Sequence, residues 1–267
     1  MNLGLEKQIA LVTGGSRGIG AGIVRCLAAE GMQVAVCARP SIPLESLVSE
    51  LRAMGHSVMA VPADVMNAEQ IEWAVAQTAS RWGRIDLLVN NVGGALRFGG
   101  FEELDDSDWI RAFEFNVMPV VRFVRAALPH LRSSPLRRIV NVSSISAVQP
   151  GLFNPHYAMT KSAVVNLGKQ LANAYAQEGI LVNTVCPGPV RSEAWETNIR
   201  AEADRTGEPL ELVRERFENR EAAKVPLGRV GEPEDVAGAV AFLASRFSTW
   251  TSGSCFHVSG GKLAAAA

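Results

Sequence analysis

No run of about 18 apolar residues occurs in the 267-residue sequence, so it offers no segment able to cross a bilayer as a helix. The opening stretch MNLGLEKQIA has no apolar core ahead of its charges, which argues against a secretory leader. Cysteine is scarce as well. Cys26, Cys37, Cys186 and Cys255 lie far apart without a C-x-x-C pair, which excludes a disulfide framework or a zinc-finger spacing and points to reduced thiols in a cytoplasmic protein. The histidines His56, His130 and His257 form no recognisable ligand spacing with one another or with the cysteines, and no metal is expected. An excess of one charge is missing too: 26 Lys and Arg stand against 27 Asp and Glu, interspersed, with a net charge of -1. Nothing here neutralises a phosphate backbone or an anionic membrane surface, so neither nucleic acid nor membrane is an expected partner.

What the chain does have is apolar material, 48% of its residues, enough for one sizeable α/β domain. Short β-branched runs, IALVT, VAVCA, SVMAVPA, IDLLVN, RIVNVS, ILVNTVC and CFHVSG, alternate with longer segments of helical period. Runs apolar on both faces suit strands covered by helices on both sides, so the expected fold is a single-domain, Rossmann-type doubly wound parallel sheet of about seven strands. That domain covers 1–261; the terminal KLAAAA (262–267) reads as vector-derived. The formal glycosylation sequon at Asn141 falls inside an apolar strand and is set aside. Between Arg191 and Arg229 charged residues crowd around the stripe Leu210, Val213 and Phe217, whose spacing suggests an amphipathic helix in an insert spanning about 191–225.

The stretch LVTGGSRGIGAG admits two chemistries. Gly14, Ser16 and Gly18 spell G-x-S-x-G, the nucleophile elbow of hydrolases, but only about a dozen residues precede Ser16 and no upstream loop supplies oxyanion donors. The same glycines, between the first strand and the first helix, fit a dinucleotide cradle. Gly14 permits a tight turn, Gly18 lets backbone approach a pyrophosphate, Gly20 allows close packing, and the helix N-terminus supplies N–H donors and a favourable dipole.

TGGSRGIG has the T-G-x-x-x-G-x-G form of the short-chain dehydrogenase/reductase family, and NNVGG, FNV, SSISAVQPGLFNPHYAMTK and CPGPV follow in that family's order. The sequence resembles the family over essentially its whole length, most generally the 3-oxoacyl-acyl-carrier-protein reductases. Tyr157 and Lys161, four apart in YAMTK, would share a helix face, where a cation beside a phenol lowers its pKa. The resemblance makes Tyr157 the acid/base and gives Lys161 the nicotinamide ribose. It assigns Ser144, of the pair Ser143 and Ser144, to the substrate oxygen, and Asn116 to a water in the proton relay. His156, beside the tyrosine, points elsewhere on the helix and is read as incidental.

The cofactor contacts it implies are Gly14, Ser16, Arg17, Gly18, Ile19 and Gly20 at the phosphates, Asp64 and Val65 at the adenine, and Asn91, Val92 and Gly93 along the middle, with Tyr157 and Lys161. Pro187, Gly188, Val190 and Ser192 would meet the nicotinamide. VAVCARP carries Ala38 where NAD-binding relatives have a carboxylate, and Arg39 beside it, with Arg17, suits a 2′-phosphate. NADP(H) is therefore expected ahead of NAD(H).

The main expectation is an NADP(H)-dependent reductase of a free small-molecule ketone. A 3-oxoacyl-acyl-carrier-protein reductase, an NAD-dependent alcohol dehydrogenase and, in a different class, a non-catalytic NADP-sensing protein are the alternatives. Substrate choice is expected from 149–154, from Phe98 and Phe101, and from the insert, which is either a closing lid or a solvated helix pair; Trp195, Leu152 and Phe153 suggest an apolar pocket. Family members pair their long helices, so a homodimer or homotetramer is expected.

Overall fold

A computed structural model describes residues 2–264; residues 265–267 of the expected tail lie outside it, as do the side chains of Glu193, Ala194 and Ala201. Among the described residues seven strands form one sheet: β1 (Ile9–Thr13), β2 (Gln33–Ala38), β3 (Val58–Pro62), β4 (Leu87–Asn90), β5 (Arg138–Val142), β6 (Leu181–Pro187) and β7 (Cys255–Val258). Their order is β3-β2-β1-β4-β5-β6-β7 and every pairing is parallel. The helices are α1 (Gly18–Ala29), α2 (Ile42–Ala53), α3 (Ala68–Trp82), α4 (Asp106–Asn116), α5 (Met118–Arg132), α6 (Pro155–Tyr175), α7 (Glu193–Thr206), α8 (Leu210–Ala222) and α9 (Pro233–Ala244).

The central strands are largely apolar because they feed two cores. Ala10, Val12, Val34 and Val36 point to the side packed by α1, α2 and α9, whereas Leu11, Ala35 and Cys37 point to the side packed by α3, α5 and α6. This is the alternation of a pleated strand with both faces covered. Local signals set the helix ends: the Asn67 side chain accepts the Gln70 N–H to cap α3, and Gly83, at φ +88°, closes it in the left-handed region. Gly22 on α1 leaves room for Pro233 of α9, since a Cβ there would come within 2.7 Å of the proline.

One polar group ties the sheet's two halves together. Asp86, fully buried, accepts the Ile9 N–H at 2.7 Å, the Arg84 Nε–H at 2.7 Å and the Ser134 hydroxyl at 2.6 Å. It thereby joins the start of β1, the approach to β4 and the turn after α5. A buried carboxylate with its bonds made is tolerable; its partners stranded without it are not. Asp86→Ala is expected to destabilise the fold by about 3–5 kcal/mol in urea titration, while Asp86→Asn, which keeps an acceptor, loses less.

Candidate functional site

The strand order reverses between β1 and β4, and the chains leaving these two strands diverge there. In open α/β sheets this is where a crevice forms for a ligand. Gly14, Gly20 and Asn91 meet there, and Gly93 beside them meets Asn116 and Lys161.

The turn after β1 holds Gly14 at φ +63° and Gly18 at φ +50°, and a Cβ on Gly20 would sit 2.0 Å from the Gly14 carbonyl oxygen. No side chain fits at Gly20, so the α1 N-terminus, with Ser16, Arg17, Gly18 and Ile19, presses against the strand end. Asn91, just past β4, donates its side-chain amide to the Thr13 and Gly14 carbonyls, each at 3.1 Å. Thr13 reciprocates: its hydroxyl oxygen accepts the Asn91 and Val92 N–H groups at 3.0 and 3.3 Å. Thr13, the first residue of the TGGSRGIG motif, is a positioning group that the sequence reading passed over. Arg17 and Arg39 are both exposed, Arg39 directly after the buried Ala38 at the end of β2. Asp64 lies past β3, where its carboxylate accepts the Met66 N–H at 2.9 Å, and Val65 is buried.

Tyr157 and Lys161 lie on one face of α6, as their spacing predicts, with the Lys161 Nζ 5.8 Å from the tyrosine ring centroid. Lys161 is buried and donates to the Val142 carbonyl at 3.1 Å, while the Ser143 hydroxyl donates to the Lys161 carbonyl at 2.8 Å. The two serines thus divide their work: Ser143 anchors the helix, and Ser144 hydrogen-bonds the Tyr157 side chain. The Ser144 hydroxyl oxygen also accepts the Ser146 N–H at 3.1 Å.

The electrostatics differ from the expectation that the lysine lowers the phenol. Burial pushes Tyr157 up from its usual value, and the Ser144 bond opposes that rise without reversing it. Burial also pulls Lys161 down to about 8, so the charge that would favour a phenolate is itself held weakly.

Asn116 ends α4, where the chain breaks before α5 begins at Met118, with Pro119 in its first turn. Its amide donates to the Ala112 and Gly94 carbonyls at 3.0 and 3.1 Å, and its oxygen accepts the Gly94 N–H at 2.9 Å. These bonds commit it to the loop after β4. A Cβ on Gly93 would lie 2.5 Å from the Lys161 Nζ and 2.8 Å from the Asn116 oxygen, so the loop, the lysine and the asparagine meet at a point open only to glycine.

On the far wall, Pro187 ends β6, and a Cβ on Gly188 would come within 2.8 Å of the Ser259 backbone. Val190 forms an isolated bridge with Gly231, and the Ser192 hydroxyl caps α7. The backbones of Gly99 and Asn154 bond at 2.8 Å, joining the two loops expected to choose the substrate, and Leu152, Phe153 and Phe98 are exposed along them. Trp195 departs from the expected pocket lining: it is buried between α7 and α8, edge-on to Phe217 with centroids 4.7 Å apart, in a small core with Ile199, Ala203, Val213 and Val230. The insert is a helix pair with a centre of its own. His156 is buried with its ring 6.1 Å from that of Trp109, and burial lowers its pKa.

The absence of ligand spacing among the cysteines and histidines is corrected by the fold. Strand pairing brings Cys186, Cys255 and His257 together, with all three donor atoms within 4.8 Å of one another. The sequence signal was only C-x-H at 255 and 257, with the third member 69 residues away from Cys255.

A glycine-lined turn at the switch point of a doubly wound sheet, beside a paired serine and tyrosine over a buried lysine, defines a nucleotide-binding α/β fold of the oxidoreductase type. The family model described as short chain dehydrogenase matches residues 8–203. An uncharacterized oxidoreductase of Methylorubrum extorquens is 37% identical over 260 residues, covering 96% of this chain and 98% of its own. A 3-oxoacyl-[acyl-carrier-protein] reductase of Synechocystis is 32% identical, covering 97% and 98%. The crystal structure of L-sorbose reductase from Gluconobacter frateurii, complexed with NADPH and L-sorbose, superposes with a TM-score of 0.91 at 30% identity over 99% of this chain and 100% of that one. The chain belongs to the short-chain dehydrogenase/reductase family and is an oxidoreductase of that family. Among the described residues, no helix is long and apolar enough to cross a membrane.

The depressed Lys161 has a consequence for stability. Its proton is held less tightly in the folded chain than the ordinary 10.5, so the amine opposes folding fully below about pH 8, and the penalty fades as pH rises toward 10.5. Lys161→Met is expected to stabilise the ligand-free protein near pH 7 by about 2–3 kcal/mol, less the lost bond to Val142, with the gain shrinking by about pH 10. Urea titrations at the two pH values measure it; a gain that does not change with pH would refute the buried-charge account.

Proposed function

We propose that this protein is an NADP(H)-dependent carbonyl reductase that converts a ketone to a secondary alcohol, with Tyr157 as the acid. The observation that carries this reading is the meeting of Tyr157, Ser144 and Lys161 beside a cradle that admits no side chain at Gly20 or Gly93. Gly14, Ser16, Arg17, Gly18, Ile19 and Gly20 would hold the pyrophosphate at the α1 N-terminus, and Asp64 and Val65 the adenine. Asn91, Val92 and Gly93 would line the middle, and Pro187, Gly188, Val190 and Ser192 the nicotinamide, with Lys161 at its ribose. When bound, the nicotinamide supplies the hydride.

The chain's own groups do the rest. The Ser144 hydroxyl bonds the substrate oxygen and stabilises charge developing there, and Tyr157 delivers a proton to the same atom. Lys161, when protonated, favours the phenolate left behind and restores its proton. Asn116 holds the loop at Gly93 and Gly94 against the lysine, and acts as a positioning residue. Arg39, exposed after Ala38 with no carboxylate at that place, would meet a 2′-phosphate, joined by Arg17.

The exposed apolar rim of Phe98, Leu152 and Phe153 supports a free ketone with an apolar flank as substrate. The 32% identity to the Synechocystis enzyme supports an acyl-carrier-bound 3-oxoacyl substrate as the second reading. Ile110, Phe113 and Met159 remain exposed on α4 and α6, a surface suited to the homodimer or tetramer proposed here. Four free thiols suit work in a reducing cytoplasm.

The test is a nucleotide titration by fluorescence with NADPH and NADH, followed by turnover of a panel of ketones and 3-oxoacyl thioesters. NADPH binding with turnover is expected. Tyr157→Phe should lower kcat by about 10²–10⁴-fold and leave nucleotide binding in place. Arg39→Ala should raise the NADPH KM roughly ten- to hundredfold and leave that for NADH nearly unchanged. Binding without turnover of any member, unchanged in Tyr157→Phe, would favour a nucleotide sensor; failure of both nucleotides to bind would overturn the reading.

A further inference from the structure

The second polar cluster lies behind the wall of the cleft, on the two strands at one end of the sheet. β6 and β7 pair in parallel with Thr184 opposite Cys255 and Cys186 opposite His257. Alternation along a strand puts Cys255 and His257 on one face, and the register puts Cys186 on that face beside them. The Cys186 and Cys255 sulfurs are 3.2 Å apart, and the Cys255 sulfur is 3.6 Å from the His257 Nε2. Cys186 is buried, whereas Cys255 and His257 are half-buried, so the cluster can be reached through the latter two. The oxidoreductase chemistry proposed above uses none of the three side chains.

We propose that Cys186, Cys255 and His257 form a binding site for a soft divalent metal ion, with zinc the best match. Two sulfurs and one imidazole nitrogen are a donor set that selects zinc-like ions over magnesium or calcium, which require oxygen ligands. Size agrees as well. Two thiolates on one tetrahedral zinc, each ~2.3 Å from the ion, lie about 3.8 Å apart, so the pair needs to spread by only about half an ångström. Binding forms two metal–sulfur bonds and one metal–nitrogen bond, releases the two thiol protons to solvent, and changes no oxidation state. The three protein ligands leave a fourth position for water.

The ion would clip β7 to β6 two residues before Gly188, where the chain already runs against the Ser259 backbone. Ser143 and Ser144 hydrogen-bond Cys186, so the clip also borders the serine pair. Bound metal therefore braces the wall of the cleft from behind.

Chelator-treated, reduced protein titrated with Co²⁺ tests the site. A sulfur-to-cobalt charge-transfer absorption in the near ultraviolet, saturating at one ion per chain and displaced by Zn²⁺, is expected. Zn²⁺ should also slow alkylation of Cys255 by iodoacetamide, read by peptide mass spectrometry. Cys255→Ser and His257→Ala are each expected to weaken the metal about tenfold or more, with folding checked by circular dichroism; two variants keep the test open should one fail to fold. Absence of the charge-transfer band together with Zn²⁺-independent alkylation of Cys255 would overturn the proposal. So would cobalt absorption that survives in both folded variants, or a Cys186–Cys255 disulfide that forms under mild peroxide in protein with no affinity for Co²⁺ or Zn²⁺.

Discussion

The bonds between Asn91 and the end of β1 hold the cleft in register. β1 and β4 are neighbours in the sheet, yet the chains leaving them run to opposite faces, and nothing in strand pairing alone fixes how far those exits stand apart. The Asn91 amide bridges them through the Thr13 and Gly14 carbonyls, and Thr13 returns two bonds to the Asn91 and Val92 N–H groups. Once that distance is set, Gly20 must be bare for α1 to approach, and Gly93 must be bare for Lys161 and Asn116 to approach from the other side. The glycines are consequences of one clamp, each a place where a Cβ would force backbone or a buried polar group to move.

A site built this way carries buried polar groups that a pure core would omit. Lys161 is desolvated with one carbonyl bond from Val142, and Asn116 keeps its amide inside the fold by bonding a helix carbonyl and a loop. Buried polarity of this kind is tolerated where bonds are complete and costs stability where charge is left uncompensated. The flanking strands supply the offset. Leu11, Val12, Val36 and Leu88 are wholly buried and feed both cores, so the expensive groups sit at strand ends while the strand interiors hold the fold.

Most of this plan was legible before the fold was known. All seven strands fall on the short apolar runs, most plainly in β1, β4 and β5, where burial on both faces leaves little polar alternation to obscure them, and the TGGSRGIG turn declared itself by spacing. What stayed hidden depends on distance in the chain or on desolvation. Cys186 and Cys255 meet only through the β6–β7 register, which no local pattern encodes. Tyr157 was expected to be lowered by its lysine, and a count of charges cannot register that burial acts on both partners, raising one and lowering the other. Trp195 reads as a pocket residue by its chemistry and position, yet Phe217, from the next helix, claims it.

That last misreading bears on how the 191–225 insert is held together. The surface around α7 and α8 carries ion pairs, among them Arg191 with Glu218 at 2.9 Å and Arg216 with Glu208 at 2.7 Å, and exposed pairs of this kind contribute little. The helix pair is held instead by Trp195, Ile199, Ala203, Val213 and Val230, a core separate from the two that flank the sheet. Substitutions on the charged surface can therefore accumulate without loosening the pair, whereas the face turned inward is tied to a handful of apolar contacts. Phe98, Leu152 and Phe153 remain exposed on loops stitched together at Gly99 and Asn154. Those two loops combine exposure and apolar character with a backbone tie at Asn154, three residues before Tyr157 on the same stretch of chain.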